Sequence, residues 1–174
     1  RKSGEKQFDY VNPRNREVQI EMEKAFTHYL KDTDCYLTPH FIQPDFTEGN
    51  FEMEASVIIP VRNRVRTIKD AIDSVLSQET NFPFNLLIVD NHSTDGTTEA
   101  IESYKGHPQV VHIRPERKDL GIGGCWSTAV NHPQCGRFAV QLDSDDIYSS
   151  PQTLQKIVDG FHEQKCAMLI GSYR

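Results

Sequence analysis

The chain reads Phe138-Ala-Val-Gln-Leu-Asp-Ser-Asp-Asp-Ile147 where a strand-forming run ends in three carboxylates. An apolar run of this length predicts a buried strand, so the acids come at the edge of a sheet. Packing does not call for acids there, because like charges held together cost free energy unless a cation neutralises them. Carboxylate oxygens are the ligands that Mg²⁺ and Mn²⁺ prefer. From this stretch alone two interpretations stay open: a divalent-metal site, or a solvated aspartate cluster that caps a helix.

Strands and helices alternate on both sides of this stretch. Apolar runs predict strands at residues 56–60, 86–90, 110–113 and 138–142, and the start of another at residues 167–170. Helical spacing predicts helices at residues 67–78 and 151–161, and a short helix that ends at Tyr104 and has Ser93 or Thr94 as its N-cap. A Gly-rich turn at residues 121–124 is expected to lead to another helix, which runs through about residue 131. The alternation is typical of an α/β domain with a mainly parallel sheet.

The first 50 residues differ from the rest. Residues 14–31 have the spacing of an amphipathic helix, and residues 32–50, with two prolines and scattered aromatics, indicate an extended connector. We therefore expect an N-terminal helix with its connector at residues 1–50 and the α/β domain at residues 51–174. The helix carries an apolar stripe, which indicates a docking face for the α/β domain or for another surface. The stripe consists of Val18, Met22, Ala25, Phe26 and Tyr29.

Length and composition limit the class of protein. A chain of 174 residues can bury one sizeable core, and 37% hydrophobic with 25% charged residues is ordinary for a globular domain. No apolar run approaches the roughly 18 residues of a membrane span, and residues 1–7 lack the apolar centre of a signal peptide. We therefore expect a cytoplasmic protein with no transmembrane segment, which can still associate with a membrane peripherally. A formal net charge of −6 argues against nucleic acid as a partner. Four cysteines without a CxxC pair predict reduced thiols rather than a zinc site.

Polar residues follow three of the predicted strands at the points where those strands end. Arg62, Asn63 and Arg64 follow the first strand, residues 90–91 (Asp-Asn) end the second, and the aspartate cluster follows the fourth. In parallel sheets of this class, ligands bind beyond the carboxyl ends of the strands. We therefore expect these residues to form one site.

Three motifs resemble those of the family 2 glycosyltransferases. They are Ser56-Val-Ile-Ile-Pro-Val-Arg-Asn63, Val89-Asp-Asn-His-Ser-Thr-Asp-Gly96 and Leu142-Asp-Ser-Asp-Asp-Ile-Tyr148. The helical sequence Ala71-Ile-Asp-Ser-Val-Leu-Ser-Gln78 is similar to the family as well, so the resemblance covers residues 55–174. It implies an inverting, metal-dependent hexosyltransferase of the GT-A fold, which is a Rossmann-like, mainly parallel sheet with helices on both faces.

The resemblance also implies ligands. The donor would be a UDP-, GDP- or dTDP-sugar and the cofactor Mn²⁺ or Mg²⁺. The acceptor would be a hydroxyl of a carbohydrate or a lipid-linked molecule, as in the biosynthesis of cell-surface polysaccharides.

Roles for single residues follow from the same resemblance. Asp145 of the DxD motif would be the direct metal ligand, and Asp143 would contact the ribose or a metal-bound water. Asp90 and Asn91 would hydrogen-bond the base, since an Asn side chain can both accept and donate. The expected nucleotide-binding residues are Pro60, Val61, Arg62, Asn63, Asp90, Asn91, Arg117, Asp143 and Ser144, and the expected metal ligands are Asp145 and Asp143.

Two positions depart from the family's pattern. Arg62 stands where many relatives have an aromatic residue that stacks on the base, and a guanidinium can stack, bind phosphate or face solvent. Trp126 and Ser127 stand where the family often has Arg-Asn. The positive charge that this arginine brings to the donor could come from Arg117 or Lys118 instead, or both of these could be solvated loop charges.

Inverting transfer needs a general base, and the sequence has no match for it. In the family this carboxylate lies well after the DxD motif, so we expect it beyond Arg174 and expect the chain to be the donor-binding half of a longer enzyme. Two other interpretations stay open. One is a non-catalytic module that binds nucleotide-sugars. The other is a nucleotidyltransferase, which would need a Gly- and Lys-rich loop after the first strand, where residues 62–66 have positive charge but no glycine.

Overall fold

The computed structural model describes residues 13–171. The chain divides into two compact units, Arg1–Ile42 and Gln43–Arg174. The domain boundary that we expect at residue 50 stays a prediction. The expectations for residues 1–7 and for a general base beyond Arg174 lie outside the described residues.

The described part of the first unit is dominated by one helix. A 3₁₀ turn at Pro13–Asn15 leads into α1, Arg16–Asp32, which confirms the predicted amphipathic helix. Proline suits this place because its missing N–H is not needed in a first helical turn. No residue of α1, a helix that the structure describes from end to end, is buried. The large side chains of its apolar stripe are all exposed: Val18, Met22, Phe26 and Tyr29.

The second unit is built on a parallel sheet. Its strands among the described residues are β1, Ala55–Val61; β2, Phe84–Asp90; β3, Val110–Ile113; and β4, Phe138–Gln141. Their order across the sheet is β3-β2-β1-β4. β1 is therefore central, and Ala55 pairs in parallel with Phe84 on one side and with Phe138 on the other. The predicted α/β class with a parallel sheet is confirmed.

Helices cover both faces of this sheet. They are α2, Ile68–Leu76; α3, Thr97–Glu102; α4, Gly121–Val130; and α5, Thr153–Gln164. Because successive side chains of a strand point to opposite faces, β1 contributes Val57 and Ile59 to one core and Ile58 to the other. The first core also contains buried side chains of α2, α3 and α5, whereas the second contains Cys125 and Ala129 of α4. A strand buried on both faces is a continuous apolar run, which explains why the sequence predicts β1 and β2.

The end of the predicted connector packs against the sheet. The Phe46 ring meets the Phe138 ring edge-on, with the ring centroids 5.0 Å apart. The Arg137 guanidinium donates a hydrogen bond to the backbone carbonyl of Glu48 at 2.7 Å. These contacts place the residues from Gln43 onward in the second unit.

One predicted strand is wrong. Residues 167–170 lie outside helices and strands, and the side chains of Met168 and Ile170 are exposed. Four apolar residues are too few to fix a secondary structure by periodicity. Among the described strands, none pairs with this segment.

Three predicted helix starts are also wrong. α4 begins at Gly121, so the glycines at residues 121–124 form its first turn and not a separate turn before it. α5 begins at Thr153 rather than at Pro151, after a short turn. The N-cap of α3 is Gly96, whose φ of 98° lies in the left-handed region that favours glycine. Ser93 and Thr94 instead hydrogen-bond the loop after β1, as described below.

Two expectations from composition can be compared with the structure. All four cysteines are free thiols, as the sequence predicts. Between residues 13 and 171, no helix combines the length and the apolar character that crossing a membrane requires.

Candidate functional site

A cleft of about 380 Å³ opens at the carboxyl ends of β1, β2 and β4. Parallel strands bring the loops that follow them to the same edge of the sheet, so segments distant in sequence meet there. The residues that line the cleft are Pro60, Val61, Arg62, Arg64, Asn91, Gly121, Ile122, Cys125, Asp143, Ser144 and Asp145. Most of the residues that the sequence predicts to bind nucleotide or metal are among them. Asn63, Asp90 and Arg117 are not.

Asn63 joins the loop after β1 to the loop after β2. Its backbone N–H donates to Ser93 Oγ at 3.0 Å, and its Oδ1 accepts from the Thr94 N–H at 2.8 Å. The φ of Asn63 is 55°, a left-handed conformation that asparagine tolerates better than most residues. The structure therefore shows Asn63 as a brace between two loops that flank the cleft.

Asp95 and Thr97 extend this brace. The Arg64 N–H donates to Thr97 Oγ1 at 2.8 Å, and the Val65 N–H donates to Asp95 Oδ2 at 3.1 Å. Asp95 Oδ1 in turn accepts from the Thr97 hydroxyl and the Thr97 N–H. These hydrogen bonds, the Thr97 hydroxyl foremost, hold the pKa of Asp95 below its ordinary value. The third loop is tied in by Thr67, whose hydroxyl donates to the Ser144 carbonyl at 2.8 Å.

Asp90 lies beneath the loop that follows β2 and is fully buried. Its carboxylate accepts from the Ser93 N–H at 2.9 Å and from the Thr98 hydroxyl at 2.5 Å. His112 Nε2 lies 3.7 Å from Asp90 Oδ2, which is longer than an ordinary hydrogen bond. Burial opposes ionisation of Asp90, but His112 and the hydrogen bonds from Thr98 and Ser93 outweigh it and hold the pKa well below the usual range. Asp90 therefore organises the loop rather than facing the cleft.

Asn91 is buried and lines the cleft. Its backbone N–H donates to the Val61 carbonyl at 2.8 Å, which fixes the residue beside the end of β1. Its side-chain Oδ1 has no hydrogen-bond partner among the described residues. A buried acceptor left without a donor costs roughly 1–3 kcal/mol. A ligand with an N–H group at this place would remove that cost.

The acidic loop after β4 brings two carboxylates into the cleft. Asp143 Oδ1 accepts from Gln141 Nε2 at 3.0 Å, and Asp145 Oδ2 lies 3.8 Å from Arg64 Nε. Among residues 13–171, no group of three or more His, Cys, Asp or Glu side chains could hold a metal. Mg²⁺ is usually bound by one or two carboxylates together with phosphates of the ligand, and not by a cage of protein groups. Asp143 and Asp145 therefore fit a divalent cation that is shared with a bound diphosphate.

Arg117 lies outside the cleft lining and is paired locally. Its Nε and Nη2 donate to the two carboxylate oxygens of Asp119, at 3.1 and 3.0 Å. This pairing lowers the pKa of Asp119 and raises that of Arg117. Both side chains are exposed, so the pair contributes little to stability.

Four lining residues are absent from the predicted nucleotide and metal ligands: Arg64, which the sequence predicts at the site without a separate role, and Gly121, Ile122 and Cys125. The last three lie in the first turn and a half of α4, where residues i and i+4 share a helix face. The sequence shows which residues of α4 share a face, but it does not show which face of α4 is turned toward the cleft, because that depends on how the helix packs on the sheet. Burial, and then the charge of Asp90, raise the pKa of the Cys125 thiol.

Residues 56–174 match the family described as Glycosyl transferase family 2. A protein provisionally named teichuronic acid biosynthesis glycosyltransferase TuaG, from Bacillus subtilis strain 168, is 31% identical over 124 residues, which are 71% of this chain and 48% of TuaG. The poly(ribitol-phosphate) β-N-acetylglucosaminyltransferase TarS of Staphylococcus aureus is 31% identical over 106 residues, 59% of this chain and 18% of TarS. The chain thus spans about half, or less, of the length of these relatives.

Solved structures show the same fold. Residues 1–349 of S. aureus TarS in complex with UDP match 64% of this chain and 32% of that chain, with a TM-score of 0.55 and 29% identity. A further TarS structure contains UDP-GlcNAc. The mannosyltransferase PcManGT from Pyrobaculum calidifontis, in complex with GDP-Man and Mn²⁺, matches 83% of this chain and 41% of its own length, with a TM-score of 0.56. Its identity of 23% limits that likeness to the fold. The fold is thus that of the GT-A glycosyltransferases, and because the family match covers more than half of the sequence, the chain belongs to glycosyl transferase family 2.

Proposed function

We propose that this chain binds a nucleotide-sugar and a divalent cation, and so forms the donor-binding part of a glycosyltransferase. The observation that carries the proposal is that Asn91, Asp143 and Asp145 line one cleft at the carboxyl ends of parallel strands. Asn91 offers a buried acceptor without a partner, and the two aspartates offer oxygen ligands. The base of a nucleotide-sugar needs a hydrogen-bond partner, and the cation on its diphosphate needs oxygen ligands.

The Asn91 side chain is the proposed contact to the base. Its Oδ1 needs a donor, and uracil, thymine and guanine carry a ring N–H beside a carbonyl, to which the amide NH₂ can donate in return. The exocyclic amino groups of cytosine and adenine could donate to Oδ1 as well, so this amide alone does not select the base. The family resemblance is the reason to propose a UDP-, dTDP- or GDP-sugar as the donor, and the TarS complex with UDP supports UDP as the first nucleotide to test.

Asp143 and Asp145 are the proposed metal ligands, with Asp145 as the direct one. A bound Mn²⁺ or Mg²⁺ would neutralise the diphosphate and stabilise the charge that develops as the nucleoside diphosphate leaves. Gln141 holds the Asp143 carboxylate by a hydrogen bond of 3.0 Å. Arg62, exposed at the rim of the cleft, is placed to stack on the base or to contact a phosphate.

The acceptor and the general base are proposed on the basis of the family. Inverting transfer of a hexosyl group needs a carboxylate that takes the proton of the acceptor hydroxyl. Asp143 and Asp145 are assigned to the donor and its cation, so we place the base outside the described residues. TuaG and TarS are named for teichuronic acid and for poly(ribitol-phosphate). We accordingly propose a hydroxyl of a cell-surface polymer, or of its lipid-linked precursor, as the acceptor.

Nucleotide binding with and without metal tests the proposal. UDP, dTDP, GDP, CDP and ADP are titrated into the chain by calorimetry, in MnCl₂ and in EDTA. We expect binding of UDP, dTDP or GDP that depends on Mn²⁺, and a rise in melting temperature that follows the concentration of the nucleotide. If none of the five nucleotides binds in MnCl₂, the proposed function is wrong.

The variant Asp145→Asn tests the metal ligand. It keeps the size of the side chain and removes its charge, so the affinity for the diphosphate in MnCl₂ should fall by at least roughly 10- to 100-fold, the loss seen when only a residue that supports a metal ligand is changed. Asp146→Asn is the matched control, because Asp146 is exposed, adjacent and outside the cleft lining. Equal losses in both variants would contradict the assignment of Asp145.

A further inference from the structure

Arg64 places a positive charge beside the proposed metal ligand. Its Nε lies 3.8 Å from Asp145 Oδ2, and both residues line the cleft. The two side chains are 51% and 56% exposed, so charge rather than packing holds them together. In the absence of ligands, the guanidinium neutralises the carboxylate on which the cation should bind.

We propose that Arg64 is a counter-charge that a divalent cation displaces from Asp145 and that then contacts the diphosphate of the donor. The inference rests on the proposed function, and it adds a cause for metal and nucleotide to bind together. Without the diphosphate, the cation and the guanidinium compete for one carboxylate and repel each other. With the diphosphate present, each positive charge has a negative partner.

The geometry leaves the Arg64 side chain free to change partners. Its backbone is fixed, because its N–H donates to Thr97 Oγ1 at 2.8 Å. In the side chain, Nη1 donates to the Asn63 carbonyl at 3.2 Å. A guanidinium has five N–H donors in a planar fork that suits phosphate oxygens. A rotation about the side-chain bonds of Arg64 is therefore enough, and the loop need not move.

The proposal has a thermodynamic signature. If metal and diphosphate favour each other's binding, each raises the affinity of the other by the same factor. Removing the charge of Arg64 should strengthen the binding of metal alone and weaken the binding of the diphosphate in metal. Effects of opposite sign are not expected from general damage to the fold.

The first measurement uses Mn²⁺ alone, followed by the loss of the electron paramagnetic resonance signal of free Mn²⁺. Arg64→Gln should bind Mn²⁺ roughly 1.5- to fivefold more tightly than the unaltered chain, the range expected for an exposed ion pair. Arg66→Gln removes the same charge from an exposed residue of the same loop that does not line the cleft, and should leave the affinity unchanged. Arg64→Lys keeps the charge and should stay close to the unaltered chain.

The second measurement is calorimetric titration of UDP and of GDP in saturating MnCl₂. Arg64→Gln should weaken binding of whichever nucleotide the unaltered chain accepts by roughly tenfold, the loss expected for a charge-assisted contact. If Arg64→Gln leaves the Mn²⁺ affinity unchanged, or weakens Mn²⁺ and nucleotide together, the role of Arg64 is overturned while the proposed function stands. If the unaltered chain binds neither nucleotide in MnCl₂, the proposed function fails, and the role of Arg64 fails with it.

Discussion

At the end of β2, two neighbouring residues have opposite surroundings. The Asp90 carboxylate accepts hydrogen bonds from Ser93 and Thr98. Asn91 instead lines the cleft, and its Oδ1 has no hydrogen-bond partner among the described residues. A strand points successive side chains to opposite faces, so such a division is expected where a strand ends. The buried acid holds the loop, and the loop holds the Asn91 amide at the wall of the cleft.

The low pKa of Asp90 makes the stability of the fold depend on pH. The folded state favours the carboxylate, so the stabilisation is fully present above the ordinary Asp pKa of 3.8 and is lost as the pH falls from there toward the folded value. Asp90→Asn keeps the size of the side chain but replaces an acceptor with a donor, and should lower the free energy of unfolding at pH 7 by about 1–3 kcal/mol. Urea denaturation at pH 7 and at pH 3 measures this loss in the free energy of unfolding, and Asp146→Asn is the control at an exposed site. The difference from the unaltered chain should shrink at pH 3; an equal difference at both pH values would contradict the prediction.

The sequence predicts these residues as a group but not their separate roles. Asp90 and Asn91 are both expected to contact the base, because the motif places them together at the end of a strand. Their different roles depend on burial, and burial depends on Thr98 and His112, which come from α3 and β3. Arg64 shows the same limit. Its place beside Asp145 joins residues 81 positions apart in sequence, and no local pattern indicates that contact.

At the scale of elements, three loops form one braced edge. Ser93 of the β2–α3 loop and Thr97 at the start of α3 accept from backbone N–H groups of the β1–α2 loop. The Thr67 hydroxyl donates to the acidic loop after β4. The loops need this bracing because buried backbone groups must find partners once the strands have ended. These hydrogen bonds fix the three loops relative to one another, so the walls of the cleft are already in place without a ligand.

The core beneath α4 is the smaller of the two, and Ile58 is central to it. Ile58 is fully buried among Leu87, Val89, Cys125 and Ala129. Ile58→Ala should lower the free energy of unfolding by about 2–5 kcal/mol, through lost burial and the cavity that remains. Ile147→Ala makes the same chemical change at an exposed site and should stay within about 0.5 kcal/mol. Urea denaturation compares the two. If Ile58→Ala costs no more than Ile147→Ala, α4 does not pack on the sheet as described.

An apolar run predicts a strand from the sequence, but the strand forms only where another strand pairs with it. β1 and β2 contain three and four consecutive buried apolar residues, at 57–59 and 86–89. Residues 167–170 have a run of the same kind but pair with none of the described strands, and Met168 and Ile170 are exposed, because strand pairing is a long-range property. The start of α3 is set by the backbone of Gly96, and a nearby serine and threonine are equally plausible caps on composition alone.

At the scale of the whole molecule, the residues that line the cleft are confined to one unit. Every residue that lines the cleft, and both apolar cores, lie between Gln43 and Arg174. The helix α1 of the other unit has no buried residue along its described length. Stability and donor binding should therefore both be properties of the sheet unit.

A shortened chain tests this division. Residues 43–174 alone should unfold cooperatively, with a melting temperature within roughly 4 °C of the full chain, because no buried apolar contact of the two cores is removed. The affinity for UDP or GDP in MnCl₂ should be unchanged. A second chain, beginning at residue 51, is the informative comparison, since it also loses the Phe46 ring and the Glu48 carbonyl that contact Phe138 and Arg137. Its melting temperature should fall further than that of residues 43–174. If the two chains melt together, the segment from Gln43 to Asn50 contributes nothing, and the sheet unit begins where the sequence alone predicts it.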